Sequence, residues 1–165
     1  MNNLILIGMP GSGKTTFGRR LAAQRGLEFV DTDEIIEQAF GLSLQNIVDQ
    51  QGLVFMKDFE EKTICAIEKQ KCVIATGGSV VYSVPAMQHL SQLGCVIYLQ
   101  ISYQSLEQRV SQAMERGLFK EPSATLKDLY LERLDLYEQW ADITLNNDKP
   151  LTAQRFKELS ERISG

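Results

Sequence analysis

Cysteine is scarce in this chain. Cys65, Cys72 and Cys95 are scattered and odd in number, no C-x-x-C occurs, and His89 is the single histidine. That pattern speaks against a disulfide framework and against a Cys/His zinc site, and fits small buried thiols in a reducing cytosol. Positive charge is not in excess: 17 Lys and Arg stand against 21 Asp and Glu, a net charge of −4. With no basic footprint for nucleic acid or an anionic membrane, any phosphate binding must be local. No apolar run approaches the ~18 residues needed to span a bilayer. The N-terminus lacks a basic region followed by a cleavage site, so it is expected not to be a signal peptide. Proline is limited to four residues, and linkers, repeats and low-complexity tracts are missing. The 165 residues are expected to form one cytoplasmic domain, large enough for a sizeable core, with no nucleic-acid or membrane partner.

What is present is concentrated near the start. Gly8-Met9-Pro10-Gly11-Ser12-Gly13-Lys14-Thr15 fits G-x-x-x-x-G-K-[ST], the phosphate-binding P-loop. It follows the apolar run Leu4-Ile5-Leu6-Ile7 and precedes a helical-period pattern at Phe17, Leu21 and Ala22. The motif needs this strand–loop–helix setting. Glycines let successive N–H groups point inward at phosphate oxygens, and the helix opening near Lys14 adds its positive end. Lys14 can reach the β- and γ-phosphates, and the Thr15 hydroxyl can ligate Mg²⁺.

Strands are expected near 3–7, 28–31, 71–75, 94–99 and 142–145, and helices near 14–25, 33–39, 43–50, 54–69, 84–92, 103–114, 125–139 and 152–163. The runs Cys72-Val73-Ile74-Ala75 and Cys95-Val96-Ile97-Tyr98-Leu99 are continuously apolar, as in strands covered on both faces. The alternation implies an α/β three-layer sandwich around a five-stranded parallel sheet. Thr76-Gly77-Gly78-Ser79 falls at the carboxyl end of the third strand, the edge where such sheets bind ligands. The polar stretch 116–123, punctuated by Gly117 and Pro122, suits a mobile lid.

Asp31-Thr32-Asp33 follows the second strand at the same edge. One carboxylate can hold Mg²⁺ directly or through water while the other accepts a proton from an acceptor hydroxyl. A helix N-cap by Thr32 or Asp33 is the simpler use of the same residues, and both can hold together. No Walker-B strand ends in a single Asp after Val73-Ile74-Ala75, and no guanine-reading N-K-x-D occurs. Small-molecule kinases of the P-loop class remain.

At this point the chain resembles the shikimate kinase family, within the nucleoside-monophosphate-kinase-like P-loop kinases. The likeness runs in order over nearly the full length: GMPGSGKTT at 8–16, D-T-D at 31–33, T-G-G at 76–78, an Arg-containing lid at 116–119, E-R-x-x-L-Y at 132–137, A-D at 141–142, and a Pro-containing loop before a terminal helix. The resemblance implies a single P-loop kinase domain over 1–165, with a lid at about 115–124 and substrate-binding helices at about 33–62. It implies ATP phosphates on Lys14 and the loop Gly11, Ser12, Gly13, Thr15 and Thr16, and Mg²⁺ on Thr15 and on Asp31 through water. It further implies that Asp33 serves the attacking shikimate hydroxyl and that Gly77 and Gly78 present N–H groups to ring hydroxyls. Arg133 would bind the shikimate carboxylate, the lid's Arg116 would neutralise transferred charge, and Arg109 and Pro150 match positions flanking the adenine. For Arg133 a surface ion pair with Glu132 is the bland alternative. For Arg109 it is surface pairing on its own helix, and Tyr137 and Trp140 read as core.

The chain departs from the family on the acceptor side. The usual segment G-E-x-x-F-R-x-x-E is here Gly52-Leu53-Val54-Phe55-Met56-Lys57-Asp58-Phe59-Glu60, so Lys57 stands where an arginine that would meet the substrate carboxylate is usual. Lysine keeps the charge and loses the bidentate fork. Ser79 replaces the third glycine of G-G-G, and the lid reads R-G-L-F where R-P-L-L is usual, which loosens it. The expectation is a monomeric Mg²⁺- and ATP-dependent kinase that phosphorylates shikimate, with another small hydroxy acid or polyol, or a non-catalytic nucleotide-binding relative, as alternatives.

Overall fold

A computed structural model describes residues 3–110 and 125–163. Five strands form one all-parallel sheet in the order β2-β3-β1-β4-β5: β1 is Asn3–Ile7, β2 Glu28–Asp31, β3 Cys72–Ala75, β4 Gly94–Gln100 and β5 Ile143–Asn146. Successive side chains of β1 alternate faces, and both faces are covered. Ile5 and Ile7 enter a core with Met87, Leu90, Tyr98 and Tyr137, whereas Leu4 and Leu6 enter one with Phe17, Leu21, Leu145 and Phe156. This double burial is why the strands read as unbroken apolar runs. The first core is closed by α5 (Val84–Leu93) and α7 (Leu126–Trp140), the second by α1 (Lys14–Arg25) and α8 (Ala153–Arg162).

Strand β1 is flanked by β3, with Leu4 opposite Val73, and by β4, with Leu4 opposite Cys95. The connection from β1 runs through α1 to β2 on one side, that from β3 runs through α5 to β4 on the other, and a crevice opens at the carboxyl ends of these two strands. Three further helices, α2 (Thr32–Phe40), α3 (Leu44–Gln51) and α4 (Leu53–Cys65), form one wall and pack around Ile36, Ile47 and Met56 with the ring cluster Phe40, Phe55 and Phe59. Helix α6 spans Tyr103–Val110.

The strands lie within about a residue of their expected places. Two helical features differ. Helix α4 stops at Cys65 instead of reaching 69, because Ile67 turns inward beside Val30 and Ile74 and the chain reverses into β3 through Lys71, whose φ is +59°. Burial of one isoleucine overrides the helix-forming run that follows. The second is a short 3-10 turn at Val80–Tyr82, which no periodicity announces.

Candidate active site

The P-loop turns tightly between β1 and α1. The Ser12 N–H donates to the Met9 carbonyl at 3.0 Å, and Gly13 caps α1 with φ of +94°. A Cβ at Gly13 would meet Asn147 Nδ2 at 2.8 Å, so the position excludes a side chain on two grounds. Asn147 in turn donates to the Ser12 carbonyl at 2.8 Å, and Arg109 donates to the carbonyls of Asn147 (2.6 Å) and Asp148 (3.0 Å). Arg109 also reaches the Gly11 and Ser12 carbonyls, at 3.4 and 3.5 Å. The structure thus uses Arg109 to pin the loop around 147–148 against the P-loop, not for pairing along its own helix, and exposed Pro150 follows on that pinned loop.

Lys14 is buried and folds back on the loop, donating to the carbonyls of Gly8 (2.8 Å) and Met9 (3.0 Å). Burial brings its ammonium down to about 8, against the pull of Asp33 and Asp31. Thr15 Oγ1 donates to Asp31 Oδ2 at 2.9 Å. The other carboxylate oxygen of Asp31 accepts from the Asp33 N–H at 3.1 Å, so Asp31, and not Thr32 or Asp33, is the N-cap of α2. One carboxylate joins two elements, the helix cap contributing about 1 kcal/mol.

The acceptor side of the crevice is built from buried charge. Asp33 Oδ1 is buried with no hydrogen-bond partner among the described residues, and its carboxyl is pushed up to about 7, first by burial and then by Glu60 and Asp31. Glu60 is 5% exposed and likewise shifted upward by burial, against a hydrogen bond from Ser79 and the charge of Arg133. Its Oε2 accepts from Ser79 Oγ at 2.5 Å, while Oε1 has no partner among the described residues. Arg133 is 1% exposed, which removes the surface ion pair as its role. Its Nε donates to Tyr82 Oη at 3.2 Å, and its guanidinium carbon lies 5.1 Å from the Tyr82 ring centroid. Gly77 cannot carry a side chain, because a Cβ would press on Glu60 Oε1 and lie 2.9 Å from Asp33 Oδ1. Its N–H, expected to face a ligand, donates to Thr32 Oγ1 at 3.2 Å.

A cavity of about 740 Å³ brings the two sides together. Gly11, Gly13, Lys14, Thr15, Thr16, Asp31, Asp33, Gly77, Gly78, Ser79 and Arg133 line it, with Glu37, Ser43, Leu44 and Gln45 from the α2–α3 wall. The volume suits a small molecule beside a phosphate chain. Ser12 sits behind the loop with its Oγ buried and without a partner among the described residues. Lys57 is exposed and absent from the lining, with its Nζ 5.5 Å from the Tyr82 ring centroid. Tyr137 and Trp140 are core as expected, Tyr137 donating to the Gly78 carbonyl at 2.6 Å. Arg116 and the lid at about 115–124 fall outside the described residues. Glu60, Tyr82 and Asn147 were not singled out from the sequence. Glu60 had a signal, as the closing Glu of the 52–60 segment, and Tyr82 had none.

Comparison with known proteins agrees with this geometry. A family model described as shikimate kinase matches residues 10–164. The chain is 34% identical over 164 residues to the shikimate kinase of Sulfurihydrogenibium sp. (strain YO3AOP1), covering 99% of this chain and 98% of that one. It is 40% identical over 151 residues to that of Pasteurella multocida (strain Pm70), covering 89% and 86%. A solved structure of shikimate kinase from Acinetobacter baumannii in complex with shikimate superposes with a TM-score of 0.86 at 30% identity, over 99% of this chain and 91% of that one. With matches of this length and identity, the chain belongs to the shikimate kinase family.

Proposed function

We propose that this chain transfers the γ-phosphoryl group of ATP to a ring hydroxyl of shikimate, giving shikimate 3-phosphate and ADP. One observation carries the reading: a single cavity joins a phosphate loop to Asp33, whose buried Oδ1 has no partner among the described residues, and to a buried guanidinium, Arg133. In this reading the N–H groups of Gly11 to Thr16 and Lys14 hold the phosphates, which draw Lys14 off the loop carbonyls. Arg109 and Pro150 flank the adenine, and Arg116 closes over the transferred group. The Thr15 hydroxyl and Asp31 carboxylate, 2.9 Å apart at the cavity wall, are a hard-oxygen pair that fits Mg²⁺. When bound, such an ion neutralises charge on the β- and γ-oxygens.

Asp33 takes the proton of the attacking hydroxyl, and its raised pKa brings it close to working pH, where a proton acceptor is most effective. Arg133, oriented by Tyr82, binds the shikimate carboxylate as a fork. Lys57 adds positive potential from outside the cavity, and Gly78 and Ser79 close the ring side. The protein works as a monomer in the cytoplasm.

The test is ADP release with MgATP, with and without shikimate, beside a panel of hydroxy acids, polyols and nucleosides. Strong stimulation by shikimate at sub-millimolar concentration is expected. Stimulation by another panel member alone would make this a kinase for a different acceptor. Stimulation by none would make it a nucleotide-binding relative without transferase activity.

A further inference from the structure

We infer that Ser79 is a positioning residue of the acceptor pocket: its hydroxyl, in place of a guanidinium at position 57, fixes Glu60, the buried carboxylate behind the pocket wall. The inference rests on reading the cavity as an acceptor site for shikimate, and it starts from Glu60, a buried carboxylate that the proposed transfer does not use. One oxygen of Glu60 is fixed by Ser79 at 2.5 Å. The other is buried without a partner among the described residues and is the atom on which a side chain at Gly77 would press. Asp33 Oδ1, equally partnerless, borders the same point at 2.9 Å. Gly77, Ser79 and Asp33 line the cavity and Glu60 is buried behind Gly77, so its carboxylate backs the wall against which a ring carrying neighbouring hydroxyls would lie.

The two acceptor-side departures now read as one. In the usual segment the arginine and the closing glutamate are three residues apart on a helix and share a face, so a guanidinium there can pin the carboxylate with two bonds. Here position 57 holds a lysine, a point charge without a fork. It is exposed and lies over the Tyr82 ring, and it acts on Glu60 only as a distant charge, behind burial, Ser79, Arg133 and Lys14. The hold comes from the opposite wall, where Ser79 supplies a hydroxyl at a position usually occupied by glycine. A neutral donor fixes the carboxylate without neutralising it, which leaves the buried anion to act on the Arg133 guanidinium that lines the pocket. Lys57 and Ser79 are thus a compensated exchange and not the mark of a different substrate.

The experiment uses the full chain and the variants Ser79→Ala, Ser79→Gly, Lys57→Arg and Lys57→Arg/Ser79→Ala. Initial rates of ADP release give KM for shikimate, KM for ATP and kcat. Carbon-13 carboxyl spectra of the ligand-free proteins, with the Glu60 signal assigned through Glu60→Gln, follow the titration of Glu60. Loss of a hydrogen bond to a charged group should raise KM for shikimate about tenfold in Ser79→Ala, with KM for ATP unchanged. The Glu60 titration should move to higher pH, since the Ser79 bond favours its charged form. Lys57→Arg should improve KM for shikimate more in the Ser79→Ala background than in wild type. A shikimate KM within twofold of wild type, a parallel rise in both KM values, an unmoved Glu60 titration, or equal effects of Lys57→Arg in both backgrounds would each overturn the inference. Ser79→Gly removes the same hydroxyl without added bulk and serves if the alanine variant does not fold. If the wild type gives no shikimate-stimulated ADP release, the shikimate reading fails, while the ligand-free titration still decides whether Ser79 holds Glu60.

Discussion

The two halves of the cavity are made of different material. The phosphate side is backbone: a tight turn, a glycine at positive φ capping α1, and carbonyls that occupy Lys14 until a ligand arrives. The acceptor side is side chains that hold one another, with Ser79 on Glu60, Tyr82 on Arg133, and Asp33 left with an oxygen that has no partner among the described residues. A backbone site is specified by a few adjacent residues and varies little without collapse. A side-chain site is specified by pairs far apart in sequence and can trade one donor for another. That is why the departures at 57 and 79 fall on the acceptor side while the phosphate loop keeps its full pattern.

The largest expected effect breaks the phosphate side. Lys14→Met should lower kcat by on the order of 10²–10³, as removal of a charge-stabilising donor does, with KM for shikimate changed far less. The loop backbone would survive, so the protein should still fold, and steady-state kinetics beside a thermal melt check both. A variant that lost shikimate affinity as much as turnover would show that the two sides are not separable.

Arg133→Lys is the matching break on the acceptor side. A lysine keeps the charge and loses both the fork and the Nε–Tyr82 bond, so KM for shikimate should rise roughly tenfold or more while KM for ATP stays near wild type. Titration with an uncharged ester of shikimate sharpens the test. The ester should bind wild type and variant about equally, and a preference of the variant for shikimate over the ester equal to that of wild type would remove Arg133 as the carboxylate partner.

This contrast also explains what could be read from sequence. The strands were legible because burial on both faces leaves unbroken apolar runs, and the phosphate loop because its eight residues are contiguous. Asp31 and Asp33 were legible as a pair next to a strand end, though which residue caps α2 was not, since that depends on the turn at Asp31. Glu60, Tyr82 and Asn147 act through partners 19, 51 and 135 positions away. Only the fold brings those residues together. Lys57 shows the other limit: register along the segment matches it to an arginine, but where its side chain points is set by Tyr82, over whose ring it lies.

The pH dependence of the free enzyme follows from two groups that line the cavity and act on each other's charge. In the proposed reading Asp33, near 7, must lose its proton to serve as base, and Lys14, near 8, must keep its own to meet the phosphates. The profile of kcat/KM for ATP should be a narrow bell between these values. In the kcat profile the alkaline limb should lie higher, because bound phosphates favour the ammonium. Asp33→Asn should flatten the acid limb, and an acid limb unchanged in that variant would assign it to another group.

The smallest effect sets activity against stability at one residue. The folded Asp33 carboxyl titrates near 7, above its ordinary value of 3.8, because burial disfavours its charge. Between those values the folded state binds more protons than the unfolded one, so its contribution is most favourable below about pH 4 and is lost as the pH rises to about 7. At pH 8 the native protein therefore carries an unfavourable buried charge, which under the proposed function is the cost of having a base beside the acceptor. Asp33→Asn removes that charge and leaves the Asp31 cap on its N–H intact. The variant should lose turnover and melt higher at pH 8, by about 2–4 °C for each kcal/mol recovered. The gain should shrink at pH 5.5, where the wild-type carboxyl is already protonated. Thermal melts of both proteins at the two pH values decide the matter, and an equal or lower midpoint for the variant at pH 8 would mean that the buried charge is satisfied by groups other than those that face it here.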